Sequence, residues 1–227
     1  MAISRFKSKI LSTEFITPDV KHLILTTPAD FDFIPGQYIT LILKDKDDEV
    51  RKPYSIASIP KKGSIDICIK IIQEGKATSL IKNLKKDDTL DIIGPMGKFI
   101  FNEQSKNKDV VFISTGTGIS TFRSMIPSLL KNDFKNKILL LTGYKNREDI
   151  LYDSDFTNLE KTCNNFHYHK ILSRENNGGY VQKLVEKHIN KNSHYYLCGV
   201  GEMVVSVKNL LLEKGIPEKN IFYERYS

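Results

Sequence analysis

The hydrophobic pattern of this chain changes period near residue 108, and that change limits the folds open to it. Before it, short β-branched runs alternate apolar and polar residues: "KHLILTT" (21–27), "QYITLIL" (37–43), "SIASI" (55–59), "SIDICIKII" (64–72) and "TLDII" (89–93). A period of two marks strands with one buried face. Turn residues "PG" (35–36) and "KKG" (61–63) punctuate them, and "TSLIKNL" (78–84) is the one short helical pattern. Many short strands at such spacing predict a closed antiparallel barrel. After the change, "DVVFIS" (109–114) is a continuous apolar run, as expected of a strand buried on both faces. Helix 119–131, strand 137–143, helix 153–162, strand 166–172, helix 180–188, strand 194–200, helix 202–214 and a closing strand 220–226 follow. Strands alternating with helices predict a parallel sheet covered on both faces. The expectation is two domains, 1–102 and 108–227, separated by the polar, linker-sized stretch "NEQSKNKD" (102–109).

Composition narrows the function classes. No apolar run approaches the roughly 20 residues that span a bilayer, and "MAISRFKSKILSTEF" lacks the apolar core of a secretory signal. A cytoplasmic protein without membrane attachment is expected. Cys68, Cys163 and Cys198 are widely spaced and form no CxxC pair, so neither a disulfide framework nor a zinc or iron–sulfur site is expected. His167 and His169 share a strand face but find no third ligand, so no metal is expected. The net charge of +7, from 34 Lys+Arg against 27 Asp+Glu, suits an acidic partner drawn in by long-range attraction. Nucleic acid is not expected, because no recognition motif or basic-aromatic pattern occurs. Six cations are arginines, and Arg51, Arg123, Arg147, Arg174 and Arg225 fall in or beside the motifs below. A guanidinium fork suits phosphate in a way an ammonium does not.

"RKPYSIAS" (51–58) sets two cations before a proline, then an aromatic and a hydroxyl. Pro53 cannot donate to a ladder, so it belongs on an edge or at a bulge. "EGKATS" (74–79) sets Gly75 ahead of the short helix, and "GPMGKF" (94–99) ends a strand with two glycines around a proline. "STGTGIS" (114–120) joins a buried strand to a helix, where glycines let a phosphate approach free N–H groups. Its third fingerprint glycine is missing, and a plain tight turn fits as well. "YLCGVGEM" (196–203) is a second strand-end turn facing the same crevice. "LSRENNGGYVQ" (172–182) supplies Ser173, Arg174 and Tyr180, a hydroxyl and a guanidinium suited to a phosphate monoester beside an aromatic ring.

In this order, "RKPYSIAS", "GKATSL", "GPMGKF", "GTGIS-FRS", "GYKNREDILY", "SRE…GYV", "CGVGEM" and the terminal "FYERYS" resemble the ferredoxin–NADP reductase superfamily from residue 51 to the end. The resemblance implies a six-stranded Greek-key barrel that binds FAD, followed by a Rossmann-like α/β domain that binds NADP(H). It implies a flavoprotein that moves hydride between NADPH and bound FAD and exchanges single electrons with an acidic carrier, ferredoxin or flavodoxin. A flavin reductase acting on free FMN or FAD, and the reductase component of a multicomponent oxygenase, are the alternatives. A monomer is expected.

Carried over by motif, Arg51 or Lys52 would meet the FAD pyrophosphate. Strict register selects Lys52, while the preference of phosphate for a fork favours Arg51. The resemblance further implies that Pro53 would open the edge, Tyr54 would lie against the flavin and Ser55 would sit near its N5. Backbone around Ile69 and Lys70, and the segment Gly75, Lys76, Ala77, Thr78 and Ser79, would hold the rest of the FAD. Tyr226 would cover the flavin's other face. Ser55, Cys198 and Glu224 would form the catalytic group. Thr117, Gly118, Cys198, Gly199 and Met203 would line the nicotinamide nucleotide site. Ser173 and Arg174, helped by Arg147 or Lys183, seat a 2′-phosphate, with Tyr180 on the adenine.

Overall fold

The computed structural model describes residues 3–45, 48–176 and 178–226. It divides into two compact units, Met1–Ile100 with Ser120–Ser128, and Phe101–Ile119 with Leu129–Ser227. The units therefore do not follow a single cut at 102–108: nine residues of a later helix pack with the first.

The first unit contains β1 (Ser4–Thr17), β2 (Val20–Thr26), β3 (Tyr38–Asp45), β4 (Asp48–Ser55), β5 (Ser64–Lys70), α1 (Lys76–Lys82) and β6 (Thr89–Met96). Its strands form one antiparallel sheet in the order β4-β3-β6-β1-β2-β5. Just beyond β4, Ile56 makes an isolated antiparallel bridge to Ile67 of β5, which draws the two edges of the sheet together. The inward positions Leu23, Leu25, Ile39, Leu41, Leu43, Ile65, Ile67 and Ile69 form its core with Ile10 and Ile92.

Two strand readings change. β1 had no alternation to announce it, because it bends from β6 to β2 through a register shift between Ile10 and Ser12. Such a strand keeps most of its residues exposed. The "SIASI" strand (55–59) is instead the exit from β4, whose ladder ends where Tyr38 pairs with Ser55. Ile56, Ala57 and Ser58 are buried, but by packing rather than by a ladder.

The second unit contains β7 (Val110–Thr115), β8 (Ile138–Tyr144), α3 (Asp153–Thr162), β9 (Phe166–Leu172), α4 (Gln182–Lys187), β10 (His194–Val200), α5 (Gly201–Glu213) and β11 (Ile221–Tyr226). Helix α2 (Ile119–Lys131) follows β7, and its Ser120–Ser128 belong to the first unit. The sheet is parallel, in the order β11-β10-β7-β8-β9. One face packs Val111, Ile113, Leu139, Leu141, Tyr195 and Leu197 against α4 and α5. On the other, Tyr196 stacks on Phe222 at 4.8 Å and on Phe101 at 5.7 Å. The stretch read as a linker is ordered: Asn102 caps a 3-10 turn, and its fully buried Ser105 bonds His194 Nδ1 (2.8 Å) and Tyr196 OH (2.6 Å). Among the described residues no helix is long and apolar enough to cross a membrane, and no group of three His, Cys, Asp or Glu could hold a metal ion.

Candidate functional site

In the first unit the site grows from the edge strand β4. Pro53 lies on that edge, where its missing N–H costs no ladder bond. Register sets the faces. Tyr54, Lys52 and Val50 oppose Ile39, Leu41 and Leu43, the core side, whereas Ser55, Pro53 and Arg51 oppose Tyr38, Thr40 and Ile42. Tyr54 is half-buried against the core, and burial pushes its phenol up to about 12, so it stays a neutral aromatic surface. Ser55 is buried. The two cations part company: Arg51 Nε donates to Glu49 Oε1 at 2.7 Å, while Lys52 is exposed on the Tyr54 side.

The neighbouring edge strand ends at Ile69, whose side chain is in the core, and Lys70, which pairs with Asp19 at 2.7 Å. Beyond it, Gly75 precedes α1, and a Cβ there would meet Thr78 Oγ1 at 2.5 Å. Thr78 Oγ1 donates to Ile72 O at 2.8 Å, folding the loop over the first turn beside buried Ala77. Lys76 and Ser79 are exposed, and Ser79 Oγ donates back to Lys76 O. The far end of α1 holds a residue that motif reading missed. Buried Lys21 donates from Nζ to Ile81 O (3.2 Å), Lys82 O (2.9 Å) and Leu84 O (2.7 Å). A cation on the last carbonyls suits the helix dipole. Its signal was present in "KHLILTT", where Lys21 shares the parity of the core residues Leu23 and Leu25.

In the second unit the site lies at the carboxyl ends of the parallel strands. Gly116–Gly118 form a 3-10 turn between β7 and α2, with half-buried Thr117 at its centre. A Cβ on Gly118 would lie 2.2 Å from Cys198 O, so this turn and the end of β10 interlock only through glycine. Gly199 has φ +150, and a Cβ there would meet Thr115 Oγ1 at 2.7 Å and Met203 Cε at 2.9 Å. Ser114, Cys198 and Glu224 occupy one register row across β7, β10 and β11 and therefore share a face. Cys198 is fully buried. Among the described residues Glu224 Oε2 is buried with no hydrogen-bond partner, and burial pushes the carboxyl from 4.5 up to about 7. Thr115 Oγ1, beside Gly199, is likewise buried without a hydrogen-bond partner among the described residues. Half-buried Tyr226 ends β11. Ser55, the remaining member of the expected catalytic group, belongs to the first unit.

At the other strand ends, Ser173 N–H donates to Tyr144 O (2.9 Å) and Arg174 N–H to Lys145 O (3.0 Å). These bonds clasp the loops after β8 and β9. Arg147 lies on the first of these loops, its Nε 3.7 Å from Glu175 Oε1 on the second. Tyr180 is 76% exposed, and Lys183 Nζ donates to Gly178 O at 3.2 Å.

Comparison with known proteins agrees with this two-sheet fold. Residues 7–101 match the model of an oxidoreductase FAD-binding domain, and residues 112–209 that of an oxidoreductase NAD-binding domain. The chain is 30% identical to ferredoxin–NADP reductase B of Sorangium cellulosum, over 97% of each. It is 29% identical to the reductase component of phenol 2-monooxygenase from a Pseudomonas strain, over 93% of this chain but 62% of that protein. Among solved structures, the ferredoxin–NADP+ reductase of Plasmodium falciparum with 2′P-AMP superposes with a TM-score of 0.85 at 26% identity, over 98% of this chain and 96% of that one. The six-stranded antiparallel sheet, the five-stranded parallel sheet and both cofactor-domain matches are those of an NAD(P)H-dependent flavin oxidoreductase. The chain belongs to the ferredoxin–NADP reductase family.

Proposed function

We propose that the protein moves hydride between NADPH and bound FAD and passes single electrons to or from ferredoxin or flavodoxin. The observation that carries this is Glu224: a half-buried carboxyl with its Oε2 shielded from water, aligned with Cys198 at the strand ends, that burial pushes up to about 7. A carboxyl of that kind can take or give a proton at working pH. The residues fit FAD: an open strand edge at Pro53, a neutral aromatic at Tyr54, and a Gly75 turn ahead of a helix whose far end Lys21 neutralises. Bound FAD supplies the hydride and one-electron chemistry. Lys52 is the cation assigned to the pyrophosphate, because Arg51 faces the opposite side and engages Glu49. This reverses the preference for Arg51 drawn from fork chemistry alone. Ser55 would orient the flavin edge, Tyr54 and Tyr226 would each offer it an aromatic ring, and Ile69 to Ser79 would hold the remainder of the FAD through backbone. Thr117, Gly118, Cys198, Gly199 and Met203 hold the nicotinamide nucleotide, and Glu224 holds the exchangeable proton.

NADPH is preferred to NADH in this reading because Ser173 and Arg174 lie on a loop clasped to the one that follows β8 and carries Arg147, a hydroxyl and two guanidiniums suited to a 2′-phosphate. The likeness to the Plasmodium reductase with 2′P-AMP supports it. The two functional domains are taken as 1–102 and 108–227. These residues carry three cysteines, too few for a four-thiolate cluster, so the electron carrier lies outside them. A charge of +7 favours an acidic carrier. The likeness to the phenol monooxygenase component favours a second reading, an oxygenase reductase, which differs only in partner. Turnover with ferredoxin, flavodoxin and free FMN tests the assignment. Reduction of a carrier protein that falls steeply with salt is expected; reduction of free FMN alone would replace it with a flavin reductase.

A further inference from the structure

Beyond Ser55 the chain leaves its ladder, and other bonds hold it. Ile56 N–H donates to Gln37 O at 3.0 Å and Ala57 N–H to Asp66 O at 2.7 Å. Asp66 N–H donates to Ser58 Oγ at 3.0 Å. From α2, Arg123 Nη1 donates to Ala57 O at 3.2 Å and Ser124 Oγ to Ser58 O at 2.6 Å. All these groups lie in the first unit, which includes Ser120–Ser128. Ile56, Ala57, Ser58, Asp66 and Ser124 are buried, so little water competes for the bonds.

Asp66 is the hub. Its Oδ2 lies 3.2 Å from Arg123 Nη1 and 3.7 Å from His22 Nε2, and its Oδ1 3.2 Å from Lys61 Nζ. Burial alone would raise this carboxyl, but His22, Lys61 and Arg123 outweigh it and hold it well below the usual carboxylate range. The anchor for Arg123 is therefore ionised at every working pH. A buried ion pair is a poor route to stability, since apolar replacements often do as well. What a guanidinium adds is direction: one nitrogen set between Ala57 O and Asp66 Oδ2 fixes those two oxygens relative to each other.

We propose that Arg123, anchored on Asp66 and assisted by Ser124, is a positioning residue that fixes the backbone leaving Ser55 and so holds the Ser55 hydroxyl in one orientation at the flavin. The proposal rests on the reading of Ser55 as a flavin-facing residue. The test uses Arg123→Met, with Arg123→Lys as the conservative rescue and Ser124→Ala as a milder variant should Arg123→Met fail to fold. Amide hydrogen exchange without added cofactor and stopped-flow reduction of the FAD-loaded protein by NADPH are the readouts. In Arg123→Met, exchange at Ile56, Ala57 and Asp66 should quicken at least tenfold while Leu23 and Leu25 keep their protection. Flavin reduction at saturating NADPH should slow about tenfold with FAD affinity within about threefold of the parent. Arg123→Lys should recover most of both, and Ser124→Ala should move both the same way by about threefold. Exchange that quickens everywhere together would mark a general loss of stability and overturn the proposal. So would an unchanged reduction rate in a protein where Ser55→Ala slows it. If Ser55→Ala itself changes nothing, the reading of Ser55 fails instead, and the exchange pattern separates the two.

Discussion

Replacing Glu224 with glutamine should remove a pH dependence that burial writes into the second unit. The carboxyl titrates near 4.5 when solvated and at about 7 in the fold, with burial as the cause. One pKa unit corresponds to about 1.4 kcal/mol, so after a discount for partial exposure the shift amounts to about 2–3 kcal/mol. The folded state binds this proton more tightly than the unfolded chain does. The stabilisation is therefore fully present below about 4.5 and is lost as pH rises through about 7. Glutamine fills the same space without ionising. Unfolding free energies of parent and Glu224→Gln, measured in urea by circular dichroism from pH 5 to pH 8, should diverge so that the variant gains about 2–3 kcal/mol relative to the parent at the upper end. The carboxyl 13C resonance of Glu224 should titrate with a midpoint near 7. A flat difference between the two proteins, or a midpoint near the solvated value, would refute the claim that burial keeps this group protonated.

Other perturbations separate parts of the site. Lys21→Met should cost about 2–4 kcal/mol in thermal unfolding, because three carbonyls at the end of α1 lose their common donor, and FAD affinity should fall with it. Gly118→Ala drives a Cβ to 2.2 Å from Cys198 O and should abolish NADP+ binding by calorimetry. Gly116→Ala, with φ +52 and nothing within 4 Å, should cost only about 1 kcal/mol. Lys52→Ala should weaken FAD binding about tenfold or more in a fluorescence titration, whereas Arg51→Ala should change it little; the reverse order would return the pyrophosphate to Arg51.

Much of this architecture was legible because period reports burial. The change near residue 108 separated an antiparallel from a parallel sheet, and the apolar run at 109–114 became β7, buried along nearly its whole length. Pro53 announced an edge, and it lies on one. What escaped notice depended on contacts distant in sequence. β1 serves two partners and exposes most of its length, so it carries no alternation. Asp66 and Arg123 meet across 57 residues, and no local pattern encodes that pairing. Arg51 and Lys52 look alike in local chemistry, and only the β3–β4 pairing shows that they meet different neighbours, Glu49 for Arg51 and the Tyr54 face for Lys52.

The half-reaction between NADPH and bound flavin tests the central claim most directly. The purified protein, loaded with FAD and passed through gel filtration, is mixed anaerobically with NADPH or NADH while the visible flavin absorbance is followed. Retained FAD that bleaches with NADPH at lower concentration than with NADH is the predicted result. Loss of the flavin on the column, or a retained flavin that neither nucleotide bleaches, would contradict the account.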